Sequence, residues 1–114
     1  MVLMGVIIVA ALHVAFFALE SVFWATSTVR RLFRNSVEKA EETRVMALNQ
    51  GCYNLGIAAL LIWLQLSGNQ AGVLGVLLFI VAVGLVGGFS ASRGIIAVQS
   101  LPAAAVFALA VWLN

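Results

Sequence analysis

Four long apolar stretches, separated by polar segments, set the pattern of this chain. They run at about 1–25, 45–66, 71–91 and 94–113. Each is close to the roughly 20 residues that a helix needs to cross a hydrocarbon core ~30 Å thick. Their length and continuity predict helices; a membrane barrel would instead alternate over segments of about ten residues. The expected fold is all-α: an integral membrane four-helix bundle forming one domain over 1–114. The first stretch does not read as a cleaved signal peptide. It lacks a basic start, and His13 and Glu20 interrupt its apolar centre.

The connections are unequal. Residues 26–44, "TSTVRRLFRNSVEKAEETR", form the long one, "SGNQ" (67–70) the second, and a short turn around Arg93 the third. Asn35 followed by Glu38 has the spacing of a capping box. One helix is therefore expected over 36–66, with its first two turns outside the apolar layer. Acidic Glu38, Glu41 and Glu42 suit the positive end of that helix. They are either a solvated face or partners for Arg30, Arg31 and Arg34.

Composition sharpens the membrane reading. The chain is 64% hydrophobic and 9% charged, against about 25% charged in soluble domains. All six basic residues, Arg30, Arg31, Arg34, Lys39, Arg44 and Arg93, fall on one side of a four-span arrangement. The positive-inside rule places that side in the cytoplasm. The expectation is a multi-pass protein of the bacterial cytoplasmic (inner) membrane with both termini outside. Basic residues interleaved with acids beside a membrane are a topology signal, so no nucleic-acid partner is expected. The lone Cys52 cannot form an internal disulfide and reads as a small buried residue. One His and one Cys do not make a metal site, and no cofactor is implied.

Polar residues then coincide in depth. Glu20 lies about five residues inside the end of the first span, and Asn49 about as far inside the second, ~7 Å deep at 1.5 Å per residue. Tyr53 and Asn54 sit one turn deeper. Ser90, Gln99 and Ser100 occupy the same slab on the last two spans. A carboxylate facing lipid is costly, about 2.5–3.5 kcal/mol near mid-helix, so these groups should turn inward. Glu20 and Trp24 are i,i+4, and His13 and Glu20 i,i+7, which puts all three on one helical face. Asn49–Tyr53 and Gln50–Asn54 make two adjacent polar stripes. The expected site is a cytoplasm-proximal pocket. Glu20 is its acid or base, with Tyr53 and His13 as further catalytic candidates. Asn49, Gln50, Asn54, Trp24, Arg93 and Gln99 are the ligand-binding candidates. The plainer reading is that these amides only bond the helices together, with His13 a neutral core imidazole. Close helix packing is expected at Gly84–Gly88 and Ala47–Gly51, and Pro102 should disturb the fourth helix.

Three motifs carry a resemblance: His13 with Glu20-x-x-x-Trp24, "EET" at 41–43, and "ALNQGCYN" at 47–54. With them the chain resembles an uncharacterised family of small four-span bacterial membrane proteins. The second-span motif there is A-x-N-Q-G-x-Y-N, matched here by Asn49, Gln50, Gly51, Tyr53 and Asn54. The resemblance implies a four-helix membrane fold and brings no activity. Small multidrug-resistance transporters are similar in size, span number and a first-span carboxylate, but Glu20 sits toward the cytoplasmic edge rather than mid-helix, and they lack the long 26–44 connection and an "NQGCYN" equivalent. Three functions follow as expectations. The first is binding or converting a small amphipathic molecule, with membrane lipid as the surrounding partner. The second is an oligomeric proton-coupled transporter or channel subunit, and the third a structural accessory subunit.

Overall fold

The computed structural model describes residues 1–113, and these are helical with no strand. Helix α1 covers Val2–Phe17 and passes directly into a π turn at Ala18–Val22. The short helix α2 covers Ser27–Phe33, α3 Val37–Leu66 and α4 Gln70–Ser90; a second π turn, Ile96–Ser100, leads into α5, Leu101–Trp112. Val2–Val22, Val37–Leu66 and Gln70–Ser90 are long and apolar enough to cross a membrane. The fourth apolar stretch forms a shorter helix, Ile96–Trp112. The architecture is that of an all-α protein whose apolar helices suit a membrane bundle.

Local chemistry explains the element ends. The long connection is structured, as expected, but its detail differs from the sequence reading. Thr26 caps α2, its hydroxyl accepting from Val29 N–H at 3.4 Å and donating to Phe23 O at 2.7 Å. Helix α2 closes with Arg34 in the left-handed region, φ 55°. Arg34 N–H and Asn35 N–H return to Arg31 O and Arg30 O at 3.3 and 2.8 Å, which satisfies two end carbonyls. The α3 cap is Ser36, not Asn35: Ser36 Oγ accepts from Lys39 N–H at 3.0 Å. The helix thus starts one residue later than the Asn35–Glu38 spacing implied. At the other end Gly68, φ 69°, ends α3 and Asn69 Oδ1 starts α4 by accepting from Gly72 N–H at 2.9 Å. A positive φ there suits glycine, which lacks a Cβ to clash.

The chain divides into two compact units, Met1–Leu12 with Ala59–Asn114, and His13–Ala58. In the first, α4 buries Val73, Leu77, Ile80, Gly84 and Gly88, a three–four spacing along one face. Helix α5 buries Ala103, Val106 and Ala110. The second π turn packs on the glycine end of α4: Ser100 Oγ donates to Val81 O at 3.0 Å. A Cβ on Gly84 would collide with the Ser100 hydroxyl, and one on Gly88 with Ile96. The expected Gly84–Gly88 contact is therefore present. The disturbance expected from Pro102 takes the form of this π turn. Proline has no N–H for the carbonyl of Val98, and just before it the ladder has widened so that Leu101 N–H bonds Ile96 O.

In the second unit the buried face of α3 is made of small residues, Ala40, Ala47, Gly51, Asn54 and Ala58. The acidic start of α3 is a solvated face. Glu41 pairs with Arg44 at 3.4 Å with both side chains mostly exposed, which contributes little stability. Arg30 and Arg31 bond the backbone carbonyls of Ala25 and Ser27 instead.

Replacing Gly84 by Ala is expected to lower stability in detergent by about 1–3 kcal/mol through overpacking. At Gly75 on the same helix, an added Cβ would meet nothing within 4 Å. Gly75→Ala should be neutral or stabilise by about 0.5–1 kcal/mol, because alanine is the better helix former. Equal effects in thermal unfolding would contradict the packing described.

Candidate functional site

The site is built from the first π turn outward. Phe23 N–H bonds Ala18 O at 2.9 Å, the i→i−5 bond of a π turn, a feature that often marks functional positions. The wider turn presents the adjacent polar residues Glu20 and Ser21 to α3. Ser21 Oγ donates to Leu48 O at 2.9 Å. That bond needs near backbone contact, which Gly51 allows: a Cβ there would strike the Ser21 hydroxyl and lie 3.1 Å from Ser21 N. Three residues beyond Gly51, on the same face, Asn54 is buried with 6% exposure. Its Nδ2 donates to Glu20 Oε2 at 3.2 Å.

Trp24 follows the π turn and is fixed by two partners. Its Nε1 donates to Thr43 Oγ1 at 3.1 Å, and Thr43 Oγ1 donates to Lys39 O at 2.7 Å. Phe33 from α2 lies against the indole, ring centres 5.1 Å apart at 46°. Glu20, Trp24, Phe33, Thr43, Met46, Ala47 and Gln50 line a shallow, open cleft of about 350 Å³. Its walls are mainly apolar, with one carboxylate, one amide and one hydroxyl among them. Such a cleft can hold an apolar tail and orient a polar head, and Glu20 is placed to exchange a proton with that head.

The structure thus brings together Glu20, Trp24, Gln50 and Asn54 of the expected site residues. Asn49 and Tyr53 lie on an exposed face of α3, Tyr53 with 67% exposure. Cys52 shares that face and is exposed, contrary to the reading of a buried thiol. The i,i+4 spacing that made two polar stripes in "NQGCYN" is real, but only Gly51 and Asn54 of that motif are buried, with Gln50 at the rim of the cleft. His13 is buried with its ring edge on Phe16, centres 5.4 Å apart. Its i,i+7 register with Glu20 assumed an unbroken α-helix, which the π turn interrupts. Gln99 and Arg93 belong to the other unit. Gln99 sits beside Gly84, with 3.3 Å between Gln99 Cβ and the position of an added Cβ, and Arg93 lies over the Phe89 ring at 4.4 Å. Sequence reasoning missed Ser21, Phe33, Thr43 and Met46 as site residues. The "EET" motif contained Thr43, and Ser21 is next to Glu20, but their roles depend on the π turn and on α2 folding back.

The chain belongs to the family described as "Protein of unknown function (DUF1304)", which matches residues 7–112. No curated protein and no solved structure matches it.

A double-mutant cycle checks the central contact. Glu20→Ala and Asn54→Ala should couple by about 0.6–1.7 kcal/mol, the range for hydrogen bonds between membrane helices. Glu20→Ala with Asn49→Ala should be additive within about 0.5 kcal/mol. Unfolding free energies in mixed micelles would measure both.

Proposed function

Taking that family membership as premise, we propose that the protein is a multi-pass protein of the bacterial cytoplasmic membrane that binds, and through Glu20 converts, a small amphipathic molecule in the cleft. The single observation that carries this is a carboxylate, held by a buried amide, set into the side of an aromatic and aliphatic groove. Carboxylates within membrane segments are costly and mark functional sites by default. The cleft volume lies within the range of small-molecule pockets, about 300–1,000 Å³. Depth supports the same reading. Helix α3 has 30 residues and is about 45 Å long, against a core of ~30 Å. Measured back from Leu66, roughly 20 residues fill the core, so Ala47 falls at its inner edge. Thr43 then lies among headgroups and Asn54 about 10 Å inside the edge marked by Ala47. The cleft thus lies at the boundary between headgroups and hydrocarbon, where amphipathic molecules reside. The basic 26–44 connection faces the cytoplasm in this arrangement, with both termini outside.

One observation favours a second reading, self-association. Asn49, Cys52, Tyr53 and Gly56 share an exposed face of α3, and amide and phenol groups facing lipid lack hydrogen-bond partners. Asn and Tyr each donate and accept, so the face is complementary to itself in a second copy. A transporter or channel subunit would need such an oligomer.

The first reading predicts that protein extracted in mild detergent retains an amphiphile detectable by mass spectrometry. Met46→Trp and Gln50→Trp, at the exposed rim of the cleft, should displace it. The same bound species in wild type and both variants would count against the cleft. The second reading predicts copper-catalysed Cys52–Cys52 dimers in native membranes, lost in Cys52→Ser. Monomer alone under oxidising conditions would remove it.

A further inference from the structure

Resting on the cleft reading above, we propose that the cleft selects amphiphiles whose head is a primary ammonium and discriminates against anionic heads. The polar inventory of the walls gives the first reason. Among the described residues, Glu20 is the one charged side chain lining the cleft; Thr43 and Gln50 are neutral. An ionised carboxylate only accepts hydrogen bonds and has about four lone-pair sites. Asn54 takes one of them. The site therefore calls for donors, and an ammonium supplies three donors and a compensating charge. A phosphate or carboxylate head would bring a second negative charge beside Glu20 in a medium where water screens little.

The basic residues nearby give the second reason. Arg30, Arg31, Arg34, Lys39 and Arg44 lie in the same unit, yet none lines the cleft. Arg30 Nε and Arg31 Nε are spent on Ala25 O and Ser27 O, both at 3.3 Å, and Arg44 on Glu41 at 3.4 Å. An anion-binding cleft would bring arginine forks into its wall; here Arg30 and Arg31 serve the backbone and Arg44 a surface pair.

The aromatic wall gives the third. Trp24 and Phe33 meet at 46°, and both line the cleft beside Glu20. Ring faces attract cations within about 6 Å of their centres, tryptophan most strongly. The Thr43 bond holds the Trp24 indole in place, so this wall is formed before the ligand arrives. An ammonium between Glu20 and this wall satisfies both, and its alkyl chain leaves through the open side of the cleft.

The experiment uses the full chain in phosphatidylcholine nanodiscs, with Trp63→Phe and Trp112→Phe leaving Trp24 as the sole tryptophan fluorophore. Both replaced residues are exposed. The probes are a long-chain alkyl amine and a long-chain alkyl carboxylate of equal length, each brominated on two carbons close to the head group, so that a head seated beside Trp24 brings bromine into quenching contact. The amine should quench at a concentration at least about tenfold lower than the carboxylate, a difference of ~1.4 kcal/mol. Glu20→Gln, whose amide oxygen can still accept the Asn54 bond, should reduce that preference to less than about threefold, with helical circular dichroism unchanged. Phe33→Leu should weaken the amine and leave the carboxylate alone. Equal quenching by both probes, or a preference that survives Glu20→Gln, would overturn the ammonium assignment while leaving the cleft in use. Failure of both probes to quench Trp24 would overturn the cleft reading itself.

Discussion

A serine hydroxyl can reach the backbone of a neighbouring helix only if the two helices almost touch, and glycine is what permits that distance. This constraint governs the structure. Ser21 bonds Leu48 O across Gly51 in one unit, and Ser100 bonds Val81 O across Gly84 in the other. In each case the acceptor carbonyl is three residues before the glycine, and the serine follows a Glu or Gln within a π turn. Three of the helices are long and apolar enough to cross a membrane; in lipid no hydrophobic force acts between helices, and close packing and such bonds would have to hold them together. The recurrence of one device in two units, on different helices, argues that it is the way this sequence joins its helices.

The acid depends on the first of these joints. With Gly51 against Ser21, Asn54 comes within bonding distance of Glu20 and the carboxylate is held against protein. The small residues of α3, Ala47 and Gly51 above all, keep the neighbouring segment close. The larger side chains of Trp24, Phe33 and Met46 then stand at the edge and leave a cleft between them. A bulkier α3 face would separate the helices, break the Ser21 bond and take Asn54 away from Glu20. Packing and chemistry are therefore two results of one approach.

Much of this was legible in the residues. Apolar run length gave the helices to within a few positions, and α3 and α4 begin and end nearly where the pattern placed them. Small-residue spacing identified Gly51 and Gly84–Gly88 as contacts. The cost of a carboxylate in lipid pointed to Glu20, and the "ALNQGCYN" motif contained Asn54. What the pattern hid was the local departure from α geometry. Periodicity arguments assume 3.6 residues per turn, so the first π turn displaced the His13–Glu20 face drawn through it. The assignment of Tyr53 and Asn49 to the inner wall failed for a related reason. A polar residue in a membrane helix was assumed to face its own chain, whereas these two occupy the outer face of α3. Helix α2 and the Trp24–Phe33 contact depend on a turn at Thr26 that no apolar pattern announces.

The most direct measurement is a carbon–nitrogen distance by solid-state NMR in a lipid bilayer, between the labelled side-chain carboxyl carbon of Glu20 and the labelled side-chain amide nitrogen of Asn54. An N···O separation of 3.2 Å predicts strong dipolar dephasing between this pair. Dephasing at background level, together with contacts from the Glu20 carboxyl carbon to lipid acyl protons, would contradict an acid held by its own protein.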